Sequence, residues 1–489
     1  METVSGYLAY TVVERETDGA EKKTLKLEAT GNTEVTVYVM KSTGAQAMAR
    51  MLTGAPHAYY QGQDLGAVTQ YKDAVPDAMV TDINNTAAKI ILGRKAGAGA
   101  GLEGPRILSQ GSGTSLDKTS ERNQEFDRRV ENILNRKPAS PLSPEEREYF
   151  RGLDTSGFTL SVNALREEQY ELFGEIVKLS GVKSLSLKKT KINDKLSKEL
   201  GELTNLTSLD LTFNRLDAAA AASLAPALGK LTNLTSLDLS HNGIGTAEAA
   251  SLAPALGKLT NLTSLDLSAN LLNVRGAESL APELGKLANL TTLDLSWNKL
   301  DAEATALFVP ELSKLTNLTT LDLSKNLLGV PATATFVPAL GKLANLTTLD
   351  LSWNDLAPVV SKSLGEQLSK LENLTTLDLR CNKFGTEGVA FIVPQLAKLA
   401  KFTSLNLAMN NLGATWANPV PEFCMLQSLT TLNLSNNELD AAAAATLAPE
   451  LGELTNLTTL DLSRNKLDAA AAATLAPKLD KFTELSLIL

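Results

Sequence analysis

The sequence predicts an α/β solenoid, with parallel strands inside and helices outside, preceded by a small N-terminal α+β domain. In the C-terminal two thirds of the 489 residues nearly the same segment returns twelve times, every 28 residues from Leu203 to Leu399. Each copy opens on alternating leucines and closes on an alanine-rich stretch, so a short strand and a helix recur as one unit. Ahead of residue 155 the period is lost and alternating apolar residues between glycine turns replace it.

In chain order, Tyr7 to Glu14, Thr24 to Ala29 and Thr33 to Met40 alternate apolar and polar residues, separated by Asp18-Gly19 and Gly31-Asn32. This reads as a three-stranded antiparallel meander. Helical stretches follow at Ala45 to Leu52 and from about Asp77 to Leu92, completing a domain of residues 1–92. Gly93 to Ser115 has the glycine content of a linker. SERNQEFDRRVENILNRK and SPEEREYF then read as charged amphipathic helices, the second with Ser143 as N-cap and Pro144 at its first position. Residues 93–154 are therefore a linker and helical adaptor.

Little in this third carries chemistry. His57 has no cysteine or second histidine nearby. The segment from Asp82, DINNTAAKIILGRKAG, is similar over a few residues to a helix of some bacterial toxin-associated domains, although Asn84 and Asn85 equally suit a cap or turn. Gly97 to Gly101 lacks the spacing of a phosphate cradle, and a helix rather than a strand precedes it. No catalytic motif, metal-ligand spacing or cofactor signature is found.

Residues 155–489 form the array. FTLSVNAL from Phe158 fits LxLxxNxL and the stretch after it fits a helix, so a degenerate capping repeat starts near Thr155. Copies beginning at Leu179, Leu203, Leu231, Leu259, Leu287, Leu315, Leu343, Leu371, Leu399, Leu426 and Leu454, with a truncated one at Phe482, follow LxxLxLxxNxL. The asparagines run from Asn214 through Asn242, Asn270, Asn298, Asn326, Asn354, Asn382, Asn410 and Asn437 to Asn465, each able to bond backbone groups of the neighbouring turn. The intervening helix, for example LDAAAAASLAPALGKL from Leu216, has Asp217 as N-cap and Leu224 and Leu228 on one face. This pattern resembles the leucine-rich repeat. Strand plus helix in 28 residues resembles its ribonuclease-inhibitor type, also found in activators of the Ran GTPase pathway. The resemblance implies a horseshoe with the strands on its inner surface. One departure is a proline recurring inside the helix, at Pro226, Pro254, Pro282, Pro310, Pro338, Pro394, Pro421, Pro449 and Pro477; each helix is expected to kink or restart there. The apolar end ELSLIL leaves a strand edge open to self-association.

Composition narrows the function. A net charge of −9 argues against binding nucleic acid or a basic association with membranes, and favours a basic protein partner. The N-terminus lacks a secretory signal and no apolar run spans a bilayer, so the chain reads as cytoplasmic, or as secreted into a host cell without a conventional signal peptide. Cys381 and Cys424 lie outside the terminal caps, unlike the disulfide-clamped caps of extracellular leucine-rich proteins. Eight N-x-T sequons between Asn205 and Asn456 occupy one turn of each repeat, as duplication of a unit would place them.

Two exposed columns on the strand face remain. Between the strand leucines runs a row of Asp210, Asp238, Asp266, Asp294, Asp322, Asp350 and Asp378, then Asn406, Asn433 and Asp461. At the ~4.8 Å spacing of strands, neighbouring charges repel by roughly 1 kcal/mol in water and about 3 to 4 at an effective dielectric of 20. Either the row is a common feature of such repeats, with carboxylates splayed into water and bonded to the Ser or Thr preceding each strand leucine, or a basic partner offsets it. The position before each asparagine varies instead, through Phe213, His241, Ala269, Trp297, Lys325, Trp353, Cys381, Met409, Asn436 and Arg464, with Arg380 beside Cys381. Aromatic residues and arginine dominate binding hot spots.

Phe213, His241, Asp294, Trp297, Asp322, Lys325, Asp350, Trp353, Arg380, Met409 and Arg464 are thus the candidate partner-binding residues of an interaction scaffold. The alternative is a delivered bacterial effector whose N-terminal domain carries the activity. The LAPAL and LAPEL runs look similar to GALA-type effectors, but no F-box precedes the array. GTPase activation does not follow from the repeat class, because no arginine finger occupies the early strand positions.

Overall fold

A computed structural model describes strand backbones between residues 8 and 94 and helix from residue 115. It gives side-chain detail over 122–136, 140–331, 336–413, 422–480 and 482, apart from 309 and 339, and strand backbone at 486–488. The chain divides into two units, Ser109–Asn410 and a second made of Met1–Leu108 with Asn411–Leu489.

In the first unit, parallel strands pair with their neighbours in chain order: β7 (Thr159–Asn163), β8 (Ser184–Lys188), β9 (Ser208–Asp210), β10 (Ser236–Asp238), β11 (Ser264–Asp266), β12 (Thr292–Asp294), β13 (Thr320–Asp322), β14 (Thr348–Asp350), β15 (Thr376–Asp378) and β16 (Ser404–Asn406). Helices alternate with them. Within the second unit, β17 (Thr431–Asn433), β18 (Thr459–Asp461) and β19 (Ser486–Ile488) pair in the same parallel way.

The leucines of the pattern form the core, and Leu293, Leu295, Leu300 and Leu315 are all fully buried. What locks one coil to the next is the asparagine. Asn326 Nδ2 donates to the carbonyls of Leu295, one repeat back, and Leu323, both at 3.0 Å. Its Oδ1 accepts from the backbone N–H groups of Asn298 and Leu300, each at 3.0 Å. Asn270 makes the equivalent four bonds. A buried amide that satisfies two coils at once leaves no backbone group stranded in the turn.

The helices start as expected at Asp217, whose side chain accepts from Ala220 N–H. The recurring proline does not behave as expected. The helices Ala218–Leu228, Thr246–Leu256 and Val274–Leu284 run through Pro226, Pro254 and Pro282 to a leucine two residues later. So near the helix end, only the last turn feels the missing donor. At Pro338 the helix Val337–Leu340 does begin one residue earlier, while Pro421 lies outside the described residues.

The first repeat is capped by the adaptor. In α1 (Ser115–Leu134), Asn123 and Asp127 accept the N–H groups of Thr159 and Ser161 on β7, and Phe126 packs on Phe158 and Phe150. α2 (Pro144–Arg151) carries the capping box expected of Ser143 and Pro144, with Glu146 returning a bond to Ser143 N–H. Asn163, read as the pattern asparagine of this repeat, is exposed instead, while Leu165 is buried as the pattern leucine, its N–H bonding Oγ1 of Thr190, which stands at the asparagine position of the next repeat. No repeat precedes it, so no earlier coil requires an asparagine there.

Among residues 1–108 only strand backbones are described. β1 (Leu8–Thr17) and β2 (Ala20–Ala29) form the expected antiparallel pair. The expected third strand of the meander, β3 (Val35–Tyr38), pairs with β6 (Ile91–Arg94) instead, and β4 (His57–Tyr60) pairs with β5 (Gln63–Ala67). Alternation marks a strand without naming its partner. Ile91 and Leu92 are therefore strand, not the end of a helix, and Gly93 and Arg94, read as the start of the linker, belong to the same strand, so a strand and not a helix precedes the Gly97 to Gly101 run; that run, Ala45 to Leu52 and the remainder of Asp77 to Leu92 lie outside the described residues.

Asn326→Ala should lower the urea midpoint of the array by the equivalent of about 3 kcal/mol or more, because two backbone N–H groups and two carbonyls lose partners at ~1–3 kcal/mol each. Leu295→Ala should cost ~2–5 kcal/mol. A midpoint within error of wild type for Asn326→Ala would show that the turns hold without the amide.

Candidate functional site

In-register pairing sets the aspartates Asp210 to Asp378 opposite one another in a single row. They are neither splayed into water nor bonded to the hydroxyls preceding the strand leucines. Each is half-buried, and its Oδ1 accepts the backbone N–H two residues on, as in Asp294 to Ser296, Asp322 to Ser324 and Asp350 to Ser352, all at 2.8 Å. This Asx turn bends the chain out of the strand. It also buries Ser296, which the alternation places outside.

A cation pairs with the carboxylate at each end of the row, and among the described residues none pairs with those in its middle. Burial raises the Asp210 carboxyl, but the Thr212 N–H, Lys188 (3.0 Å) and Ser186 (2.8 Å) outweigh it and hold it below the usual range. At the far end Arg380 lies 3.3 Å from Asp378, and Asn406 Nδ2 donates to the same carboxylate at 2.9 Å. Among the described residues no cation lies within salt-bridge distance of Asp238, Asp266, Asp294, Asp322 or Asp350. Burial, then the charges of Asp322 and Asp266, push Asp294 up to about 7. Burial and Asp350 push Asp322 up to about 6. Burial raises Asp350 against the Ser352 hydrogen bonds, and Asp378 rises to about 7 through burial and Asp350 despite Arg380.

The column before the asparagine has left-handed backbone throughout: φ is 59° at Phe213, 56° at His241 and Trp297, 53° at Lys325, 57° at Trp353 and Arg464, and 56° at Met409. A non-glycine residue there costs about 1–2 kcal/mol. The conformation is held by bonds to the next repeat, from Trp297 N–H to Ser324 O (3.0 Å), Lys325 N–H to Ser352 O (2.8 Å) and Trp353 N–H to Arg380 O (2.9 Å). It aims the side chains away from the core, leaving Trp297 53% and Trp353 42% exposed. A sequence signal for this existed: the column contains no β-branched residue, the type that left-handed backbone excludes most strongly.

Three of the candidates come together closely. Lys325 Nζ sits 3.9 Å from the Trp297 ring centroid and 5.9 Å from that of Trp353. Phe213 and His241 form a separate stacked pair with centroids 4.4 Å apart. Arg380 serves Asp378, Met409 continues the column half-buried, and Arg464 occupies the equivalent place in the second unit. Sequence reading missed Leu271, Leu327 and Val330, which are exposed on the turns after β11 and β13. After Asn326 the chain leaves the repeat: Gly329 N–H bonds the backbone carbonyl of Asn354, while Asn354 Oδ1 is left without a donor. Val330 lies on that departure, whereas Leu327, like Leu271, takes the place after the asparagine, which is exposed in every described repeat. Both cysteines are free; burial raises the Cys381 thiol, and the Glu450 carboxylate pushes Cys424 up to about 11, so neither is primed as a nucleophile.

The arrangement is a repeat solenoid of short parallel strands alternating with helices. A family model described as a leucine-rich repeat region matches residues 158–334, and a second described as a leucine-rich repeat matches 342–359, 370–393, 426–448 and 453–476. The chain is a leucine-rich-repeat protein. Among solved structures it is similar to an internalin of Listeria monocytogenes, at 21% identity and a TM-score of 0.48 over 74% of this chain and 94% of that one. It is also similar to a leucine-rich-repeat protein of Leptospira interrogans, at 22% identity and a TM-score of 0.35 over 72% and 99%. No curated protein matches the sequence. No helix among the described residues is long and apolar enough to cross a membrane.

The raised carboxyls carry a pH signature of definite sign. The folded state holds protons that the unfolded chain, with ordinary aspartates near 4, releases. Stability should therefore be greatest below about pH 4 to 5 as far as this row is concerned, and fall as pH rises towards about 7. The urea midpoint should be higher at pH 5.5 than at pH 8. Asp322→Asn, which keeps the bond to Ser324 as Asn406 keeps its bond to Ala408, should raise the pH 8 midpoint and flatten the dependence. A midpoint that climbs from pH 5.5 to pH 8 would contradict this account of the row.

Proposed function

We propose that the array, residues 155–489, is a non-catalytic scaffold that binds a basic protein partner on its strand face, with residues 1–92 as a separate domain and 93–154 joining the two. The observation that carries this reading is the uncompensated middle of the aspartate row. The carboxyls of Asp294, Asp322 and Asp350 stand half-buried and side by side, with no cation within salt-bridge distance among the described residues to favour their ionised form. Lysine or arginine from a partner would relieve that repulsion and draw the raised carboxyls back down.

Apolar area lies beside the charge. Of the large apolar side chains that are exposed among the described residues, Leu271, Trp297, Leu327, Val330 and Trp353 cluster on the turns after β11 to β14. The equivalent position after the asparagine is charged in other repeats, as at Arg215, Lys299, Lys383 and Lys466. Aromatic anchors next to unpaired carboxylates suit a surface that is basic and partly apolar. Phe213 and His241 extend the surface on one side, Arg380 and Met409 on the other, with Arg464 at the corresponding position of the second unit. The negative row opposes nucleic acid and anionic membranes.

Partner capture from extracts with wild type, with Trp297→Ala/Trp353→Ala, and with Asp294, Asp322 and Asp350 changed to Asn tests this. A protein retained by wild type should be lost by both variants. With that protein purified, Trp353→Ala should weaken binding by about 2 kcal/mol or more through faster dissociation, while Asp322→Asn should mainly slow association and reduce its salt dependence. An identical set of proteins on all three baits would move the function to the helices or to residues 1–154.

A further inference from the structure

The two tryptophans already hold a cation, and it belongs to the protein itself. The Lys325 ammonium lies within cation–π range of both rings, at 3.9 Å from Trp297 and 5.9 Å from Trp353. Asp322 and Asp350 act on its charge, yet no carboxylate among the described residues is close enough to form a salt bridge with it. An exposed lysine ordinarily reaches for water or a carboxylate. Here the side chain lies over indole faces instead, half-buried, and burial followed by the Arg380 charge lowers its proton affinity.

The geometry is built in before any partner arrives. Trp297, Lys325 and Trp353 occupy the same position in three successive repeats, all in left-handed backbone, each N–H tied to the next repeat. The backbone therefore presents two indoles, two strand spacings or about 10 Å apart, with one cation between them. This slot does not depend on a loop closing.

We propose that Trp297 and Trp353 form a clamp for an arginine side chain of the partner, and that Lys325 is its resident stand-in, displaced when the partner docks. The inference rests on the strand-face reading given above. A guanidinium fits better than an ammonium for two reasons. It is planar and weakly hydrated, so it stacks on indole at lower desolvation cost, and its fork of donors can reach the unpaired carboxylates of Asp322 and Asp350 while stacked. Lys325 offers neither. Its presence sets a threshold: a partner must replace a cation already in place, which favours arginine over lysine and penalises isolated weak contacts.

A fluorescein-labelled tetra-arginine peptide is the probe, titrated against the full chain by fluorescence anisotropy, which also reads binding to variants that lack Trp297 and Trp353. Lys325→Met should tighten tetra-arginine binding by about five-fold or more, and tetra-lysine by less. Lys299→Met, which removes an equal charge from the neighbouring repeat, controls for simple electrostatics and should change little. Adding Trp297→Ala/Trp353→Ala to Lys325→Met should abolish the gain. If Lys325→Met and Lys299→Met act alike, or the gain survives loss of both indoles, the clamp is wrong. If in that case Asp322→Asn and Asp350→Asn still weaken the peptide, the strand-face reading stands without it; peptide binding that is insensitive to the aspartates and tryptophans alike overturns both.

Discussion

A single buried amide sets the terms for this chain. An asparagine of the ladder donates back to the coil before it and accepts from that coil's turn, as Asn326 does with Leu295, Asn298 and Leu300; Asn354, whose Oδ1 has no donor, is an exception. The four bonds are only possible when successive repeats present their turns at the same height. Insertions in the helical half are tolerable in principle, but a slip within the strand and turn would strand several buried polar groups at once. The 28-residue period from Leu203 to Leu399 is the sequence image of that requirement.

Strict register stacks like upon like, with good and bad consequences. Leucine on leucine fills the core at every level. Aspartate on aspartate builds a row of charges, tolerated because each carboxylate also closes an Asx turn through the N–H two residues on. The chain relieves the row where it can: Lys188 and Ser186 serve Asp210, while Arg380 and Asn406 serve Asp378. Asn406 keeps the turn bond to Ala408 without the charge, so the turn alone does not require a carboxylate. Retaining aspartate at Asp294 and Asp322 therefore costs stability at neutral pH that asparagine would not, and the proposed binding is a use that would offset it.

Much of this was legible in the residues. Period and leucine spacing give strand, core face and helix; Asp217 and Ser143 announce their caps, and Pro144 its first turn. What was not legible depended on neighbours in space. Ser296 alternates as an outward residue yet is buried, because the Asx turn at Asp294 curls it inward. Asn163 matches the pattern but sits where no earlier coil needs it. Pro226 looks like a helix break until its place two residues from the helix end is known. β3 alternates convincingly, but its partner β6 lies more than fifty residues on, beyond what a local pattern can name. For the candidate site the column of variable residues and its want of β-branched side chains were readable, whereas the contact of Lys325 with both indoles, which depends on three repeats standing in register, was not.

That column is where the fold leaves freedom. The residues around it are spoken for: leucines by the core, asparagine by the ladder, aspartate and serine by the turn. The position before the asparagine has its backbone fixed by the next repeat and its side chain aimed outward, so it can vary among the residues that accept left-handed backbone without disturbing the stack. Variation there can follow a partner's chemistry instead of the fold's. That Phe213 stacks on His241, and Lys325 lies across Trp297 towards Trp353, means that neighbouring repeats already interact through this column alone. Its side chains are ordered by one another before binding, which lowers the entropy lost on docking and concentrates affinity in few residues. A rigid backbone carrying variable, mutually braced side chains beside carboxylates without a paired cation has the physical properties that the proposed recognition surface requires.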